Sequence, residues 1–214
     1  MIALNLRLRS LLLCLWLGLA SAAQAGAFED FFQAVSVDNA SGVKTLLDRG
    51  FDANAVDEKG QRALYLALRG EAFRVAEVLL MHPGINVDAN NGAGETALMM
   101  AALRGQLDWM RRLLERGAAV HKDGWSPLHY AATGPSAVAV RLLLDRGAPV
   151  EAMSPNRTTP LMMAAQYGSE ESVELLRLRG ATLGAKNDRG LTAADFAKLG
   201  SREALSSKLA AGVR

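Results

Sequence analysis

The chain has 214 residues, of which 50% are hydrophobic and 21% charged. That length serves one sizeable domain or one stacked array, and that balance excludes long disordered tails. A formal charge of +2 is too small an excess to make nucleic acid or anionic lipid the main partner.

Residues 1–25 stand apart from the rest. Arg7 and Arg9 form a positive start, Leu11 to Ala20 is an apolar run, and Ala23-Gln24-Ala25 has the small-x-small form of a signal peptidase site. Cleavage after Ala25, export and a periplasmic location are therefore expected. A retained membrane anchor is the alternative, but the run is shorter than the ~20 apolar residues of a spanning helix. A lipid anchor on Cys14 is disfavoured by the large Leu12 and Leu13 before it. Cleavage removes this one cysteine, which suits an oxidising compartment. It also leaves the mature chain with 22 basic and 22 acidic residues, from 24 and 22 in the whole.

Three segments after residue 90 repeat one another: Glu95-Thr-Ala-Leu-Met-Met-Ala-Ala102, Trp125-Ser-Pro-Leu-His-Tyr-Ala-Ala132 and Thr158-Thr-Pro-Leu-Met-Met-Ala-Ala165. Each leads to leucines and then a glycine, at Gly117, Gly147 and Gly180. Leu64 to Leu79, Leu98 to Leu113, Leu128 to Leu143 and Leu161 to Leu176 are all 15 residues apart, and the same step joins Phe31 to Leu46 and Ala194 to Leu209. Four full units and two end units share this frame.

Each unit predicts a helix, a short turn, a second helix, a glycine and a loop. Ser126-Pro127 and Thr159-Pro160 are helix starts, because the hydroxyl caps free amides and proline gives up a donor that is unpaired there. Leu128, Ala131 and Ala132 fall on one helical face, with alanines small enough for close stacking. Met110, Leu113 and Leu114 form the inner face of a second helix, with Trp109 on the same core side. Gly117 follows where a left-handed residue ends a helix.

With Ser126-Pro-Leu-His-Tyr-Ala-Ala132, the chain resembles the ankyrin-repeat family, from about Phe28 to Ala210. The resemblance implies an all-α solenoid of stacked helix-turn-helix units with short β-hairpin or loop fingers. Its divisions are a capping repeat at 28–59, full repeats at 60–93, 94–123, 124–156 and 157–189, and a second capping repeat at 190–214, within an array spanning 26–214. Phe28, Phe31 and Phe32 open the first cap, and Asp195, Lys198, Arg202, Glu203 and Lys208 give the last a polar face.

Four departures from the pattern stand out. The step from Leu113 to Leu128 is 15 residues against 18 or 19 at the other junctions, so Gly117–Gly124 is too short for a full finger. Arg177 replaces the second leucine of its pair, which predicts loose packing there. Glu71 and Pro135 occupy the family's inter-helix glycine position, with Gly70 and Gly134 one residue earlier as replacements for the turn.

Little in the sequence points to catalysis. His82, His121 and His129 show no metal-ligand spacing, and no glycine-rich phosphate loop precedes a helix. His129 resembles the family's structural histidine. Met99, Met100, Met162 and Met163 invite copper(I), but the pairs lie two repeats, roughly 20 Å, apart and follow the core frame, as gap-filling side chains do. No cofactor, no metal and no enzymatic activity are expected.

The resemblance instead implies binding of a protein partner on the concave face, made by the fingers and the first helix of each unit. Carried over by position, that face takes Glu58, Lys59, Gln61 and Arg69, then Glu95, Leu103 and Arg104, then Trp125 and Thr133. It continues with Asn156, Thr158, Gln166 and Tyr167, and ends at Arg189 and Leu191. Arg69, Glu95, Leu103, Arg104, Trp125, Gln166 and Tyr167 are the partner-binding candidates, and Trp125, beside the shortened finger, is the foremost. The expected function is a monomeric, non-catalytic scaffold supporting a partner enzyme. The alternatives are an immunity protein that neutralises a toxin and a membrane-anchored adaptor.

Overall fold

The computed structural model describes residues 26–212; the expected signal peptide, its cleavage site and Cys14 lie outside them. The described residues form twelve α-helices and no β-strand. These are α1 (26–36), α2 (Ala40–Asp48), α3 (Ala63–Arg69), α4 (Phe73–Met81), α5 (Ala97–Leu103), α6 (Leu107–Glu115), α7 (Pro127–Thr133), α8 (Ala137–Asp145), α9 (Pro160–Gln166), α10 (Glu170–Leu178), α11 (Ala193–Leu199) and α12 (Glu203–Ala211). From α3 onward the odd helices have seven residues and the even ones nine. Helices this short are marginal alone, so packing between pairs holds them. The first helices stack in the order α3, α5, α7, α9, α11, and the second helices form a parallel layer beside them.

The repeat frame supplies the core. Leu64, Leu98, Leu128 and Leu161 are buried, as are Leu79, Leu113, Leu143 and Leu176 at the 15-residue step. Ala101, Ala102, Ala131, Ala132, Ala164 and Ala165 are buried between stacked helices. Trp109 is 8% exposed, its ring stacked on Phe73 at 5.8 Å and covered by the Arg112 guanidinium at 4.5 Å. Arg177 is exposed and pairs with Glu174 on its own helix. A hollow of about 300 Å³, lined by Val173, Arg177, Leu205 and Leu209 among others, lies where the missing leucine would pack.

From α5 onward the first helices are capped by a reciprocal device one residue past the buried frame position, whereas α3 has no side-chain cap. The Thr96 amide donates to Met99 Sδ at 3.4 Å, and the Met99 amide to Thr96 Oγ1 at 3.3 Å. Thr159 and Met162 repeat the exchange, while the Thr192 amide donates to Asp195 Oδ2 at 2.8 Å. Met99 and Met162 are thus buried sulfur acceptors.

The inter-helix turn differs from expectation. Gly70 has φ −90° and Gly134 φ −76°, outside the left-handed region. In the second unit Glu71 itself is left-handed, at φ 58°, matching Gly105 at 66° and Asp38 and Ser201 in the end units. Gly134 serves close approach instead: a Cβ there would stand 2.6 Å from the Leu103 carbonyl oxygen of the preceding unit.

The fingers are loops rather than hairpins, with one isolated antiparallel bridge, Val56 to Arg62, among the described residues. Four fingertips close identically. The amides of Asp57, Asn91, Ser154 and Asn187 donate to the carbonyls four residues later, at 2.9, 2.9, 3.0 and 3.1 Å. Their side-chain oxygens accept the amides of Gln61, Glu95, Thr158 and Leu191. The finger of the fourth unit keeps the five-residue tip, His121 to Trp125, but three residues are missing ahead of it: Gly117 to His121 is four steps where Gly147 to Ser154 is seven. With histidine in place of a short acceptor, this tip makes neither closing bond among the described residues, and His121 Nδ1 is buried without a partner.

Candidate functional site

The face built from the first helices and the fingertips, the concave one in such an array, carries most of the candidate residues. At its centre Trp125 ends the shortened finger, just before the cap of α7. Its ring stands edge-on to His129, with centroids 5.2 Å apart. His129 is fully buried and fixed at both nitrogens. Nδ1 faces the Ser126 amide at 3.2 Å and Oγ at 2.9 Å, and Nε2 faces the Thr158 carbonyl at 2.9 Å. A carbonyl only accepts, so Nε2 carries the hydrogen, and an amide N–H only donates, so Nδ1 carries none and the ring is neutral. Burial pushes its pKa down to about 4.

Trp125, His129, Tyr130 and Thr133 line a hollow of about 220 Å³ together with Leu103 from α5 and Met163 from α9. Three successive units therefore share one apolar depression. Tyr130 also donates from its hydroxyl to Glu95 Oε1 at 2.8 Å.

Glu95 lies at the end of the preceding fingertip. Its Oε2 accepts the Tyr65 hydroxyl at 2.7 Å and Asn91 Nδ2 at 2.8 Å, and Asn91 also binds Gln61 Oε1 at 2.9 Å. Burial alone would raise this carboxyl, but the hydrogen bonds from Asn91, Tyr65 and Tyr130 and the charge of Arg69 outweigh it and hold it below the usual carboxylate range. Burial and the adjoining carboxylate push both tyrosine hydroxyls up. Arg69 sits over the Tyr65 ring, 5.8 Å from its centroid. The result is one continuous polar chain across three units, from Gln61 through Glu95 to Tyr130.

The remaining candidates are more scattered. Arg104 caps α5 at the turn end of the unit and pairs with Glu71 at 2.7 Å, away from the fingertips. Gln166 ends α9 and is half-buried, whereas the next residue, Tyr167, is 59% exposed. Thr158 is buried within its fingertip, its carbonyl holding His129. The buried Tyr65 reaches this surface only through its hydroxyl on Glu95, whereas Tyr130 and Met163 join it directly, without being marked by the motif. Their sequence sign is the i, i+3 spacing of Tyr130 with Thr133 and of Met163 with Gln166, which puts each pair on one helix face. No group of three or more His, Cys, Asp or Glu side chains converges as a metal site would among the described residues.

Similarity to known proteins agrees with this geometry. Human transient receptor potential cation channel subfamily A member 1 is 29% identical over 70% of this chain, and chicken nuclear factor NF-kappa-B p105 subunit is 30% identical over 69%. The matched regions are 14% and 16% of those proteins. A chain in the solved complex of the Bd0816 predatory endopeptidase from Bdellovibrio bacteriovorus with immunity protein Bd3460 superposes with a TM-score of 0.68 at 28% identity. The match covers 84% of this chain and 97% of that one. The family model for ankyrin repeats, in sets of three copies, matches residues 31–122 and 112–187. With its stacked helix pairs, closed fingertips and recurrent caps, the chain belongs to the ankyrin-repeat family.

Proposed function

We propose that this protein is exported through residues 1–25, starts at Gly26 in its mature form, and holds a partner protein in the periplasm through its concave face. As an ankyrin array it is a protein-interaction module. The observation that supports this particular surface is the half-buried Trp125 at the rim of the hollow with Leu103, Tyr130 and Met163. Aromatic anchors beside pockets dominate binding energy, and the locked His129 fixes this one before a partner arrives.

Two roles fit such a surface: support of a partner enzyme and neutralisation of a toxic one. The similarity to a chain from an endopeptidase–immunity protein complex favours the second. Almost all of that chain superposes on this array, so it too is a stack of helical units.

The test is capture from a periplasmic extract of the native host with wild-type protein, Trp125→Ala and Glu171→Ala, the last an exposed residue on α10. Trp125→Ala should weaken capture by about 2 kcal/mol or more and Glu171→Ala should leave it unchanged. The reverse pattern would remove the concave face from consideration. Intact mass of the protein from the same extract should start at Gly26, and a membrane-bound chain starting at Met1 would overturn export with cleavage. If a captured hydrolase keeps its full activity in the complex, the neutralising role is wrong and the supporting one stands.

A further inference from the structure

We propose that the hollow beside Trp125 receives one bulky apolar side chain of a partner segment in which the neighbouring residue is lysine or arginine, whose charge meets Glu95. This rests on the concave-face reading above and specifies the chemistry of what binds there.

The size of the hollow sets the class of occupant. At about 220 Å³ it falls below the ~300–1,000 Å³ of pockets that enclose small molecules. It suits a single leucine, methionine or phenylalanine side chain. Its walls are mostly apolar, from Leu103, Trp125, Tyr130 and Met163, so a charged side chain inside it would lose water without gaining a partner.

Glu95 sets the second requirement. A carboxylate offers about four acceptor positions. Tyr65 and Asn91 take two on Oε2, and Tyr130 takes one on Oε1. The open position is therefore on Oε1, the oxygen bonded to the tyrosine that also lines the hollow. All three donors are neutral and Glu95 forms no ion pair among the described residues, so its charge is uncompensated at close range. Arg69 acts on it through space from the Tyr65 side, and Lys122 Nζ is committed to the Gly94 carbonyl at 2.9 Å. A cation on the partner completes this site, while an anion there meets like charge. The short finger of the fourth unit, without its closing bonds, stands next to the hollow and leaves Trp125 half-buried.

The experiment titrates the purified protein with three capped peptides, acetyl-Gly-Lys-Phe-Gly-amide, acetyl-Gly-Glu-Phe-Gly-amide and acetyl-Gly-Lys-Ala-Gly-amide. Concentrations run up to about 10 mM, where a single anchor is detectable, and the signal is the Trp125 indole N–H resonance. The Lys-Phe peptide should shift it saturably and bind at least about fivefold tighter than Glu-Phe, and Lys-Ala should not shift it. Glu95→Gln should bring the two Phe peptides within about twofold of each other, and Thr133→Leu, which fills the hollow, should abolish the shift. Equal binding of the two Phe peptides to the wild type, a Lys-Ala response equal to that of Lys-Phe, or no response to any peptide overturns the proposal. If the peptides fail while Trp125→Ala still disrupts capture of the native partner, only this inference falls. If both fail, the concave-face reading falls with it.

Discussion

His129 donates from Nε2 to the carbonyl of Thr158, 2.9 Å away and 29 residues later, tying α7 to the fingertip that precedes α9. Nδ1 accepts the Ser126 amide only while the ring is neutral, and burial keeps it neutral by pushing the pKa down to about 4, against the Thr158 bond, which favours the charged ring. An unfolded histidine titrates near 6.5. Between these values the unfolded chain binds a proton that the folded one refuses, so this contribution is complete above pH 6.5 and is lost as pH falls toward 4. The loss should amount to about 3 kcal/mol. Met99 and Met162 show that methionine can perform the same capping. His129→Met should therefore flatten the pH dependence between 6.5 and 4, at a cost of about 1 kcal/mol for the lost inter-unit bond. Urea unfolding of both proteins from pH 8 to 4 checks this, and equal slopes would show that another group is responsible.

Leu128 is 0% exposed and lies on α7 between α5 and α9. Leu128→Ala should destabilise the protein by about 2–5 kcal/mol, through lost burial and the cavity left behind. Glu171→Ala, on the exposed side of α10, should remain within about 0.5 kcal/mol of the wild type. Denaturant midpoints measure both. Because each unit touches only its neighbours, the Leu128→Ala transition should also broaden.

Glu71 holds φ 58°, a conformation that costs a residue with a Cβ about 1–2 kcal/mol. Its ion pair with Arg104 joins two side chains that are 57% and 44% exposed, and exposed pairs contribute about 0–1 kcal/mol. Glu71→Gly should raise stability by up to about 1 kcal/mol, and Glu71→Val should lower it by more than about 1 kcal/mol, since β-branched residues tolerate this region least. Thermal unfolding of the two variants gives the comparison, and the same sign for both would show that strain at this turn is not what matters.

Arg202 closes the array at its C-terminal end. One guanidinium nitrogen donates to the carbonyls of Ala164, Ala165 and Gly168 at 3.0, 3.1 and 2.8 Å. Ala165 and Gly168 lie at and just past the end of α9, where carbonyls lack a partner within the helix, while the Ala164 carbonyl also accepts the Gly168 amide at 3.0 Å. Arg202→Ala should cost about 1.5–3 kcal/mol, concentrated at that end. Hydrogen exchange should accelerate in α11 and α12 and stay unchanged in α5 to α7. Uniform acceleration would mean that the array unfolds as one unit.

The sequence by itself determined the units, their order and their buried face. Leucines 15 residues apart, paired alanines and hydroxyl-proline starts are local facts, and a helix converts such spacing directly into a shared face. The role of Trp109 in the core and the weak spot at Arg177 follow from the same frame. Only the tertiary structure decided the rest, because it depends on which units touch. Glu95 meets Tyr65 and Tyr130 across 30 and 35 residues, distances at which no local period operates. The left-handed turn fell to Glu71 rather than Gly70 because stacking fixed where the chain must reverse, and at Gly134 the nearby Leu103 carbonyl, not the turn, demanded glycine. The hollow at Trp125 exists because three units bring single side chains to one point, a geometry that spacing along one helix does not specify.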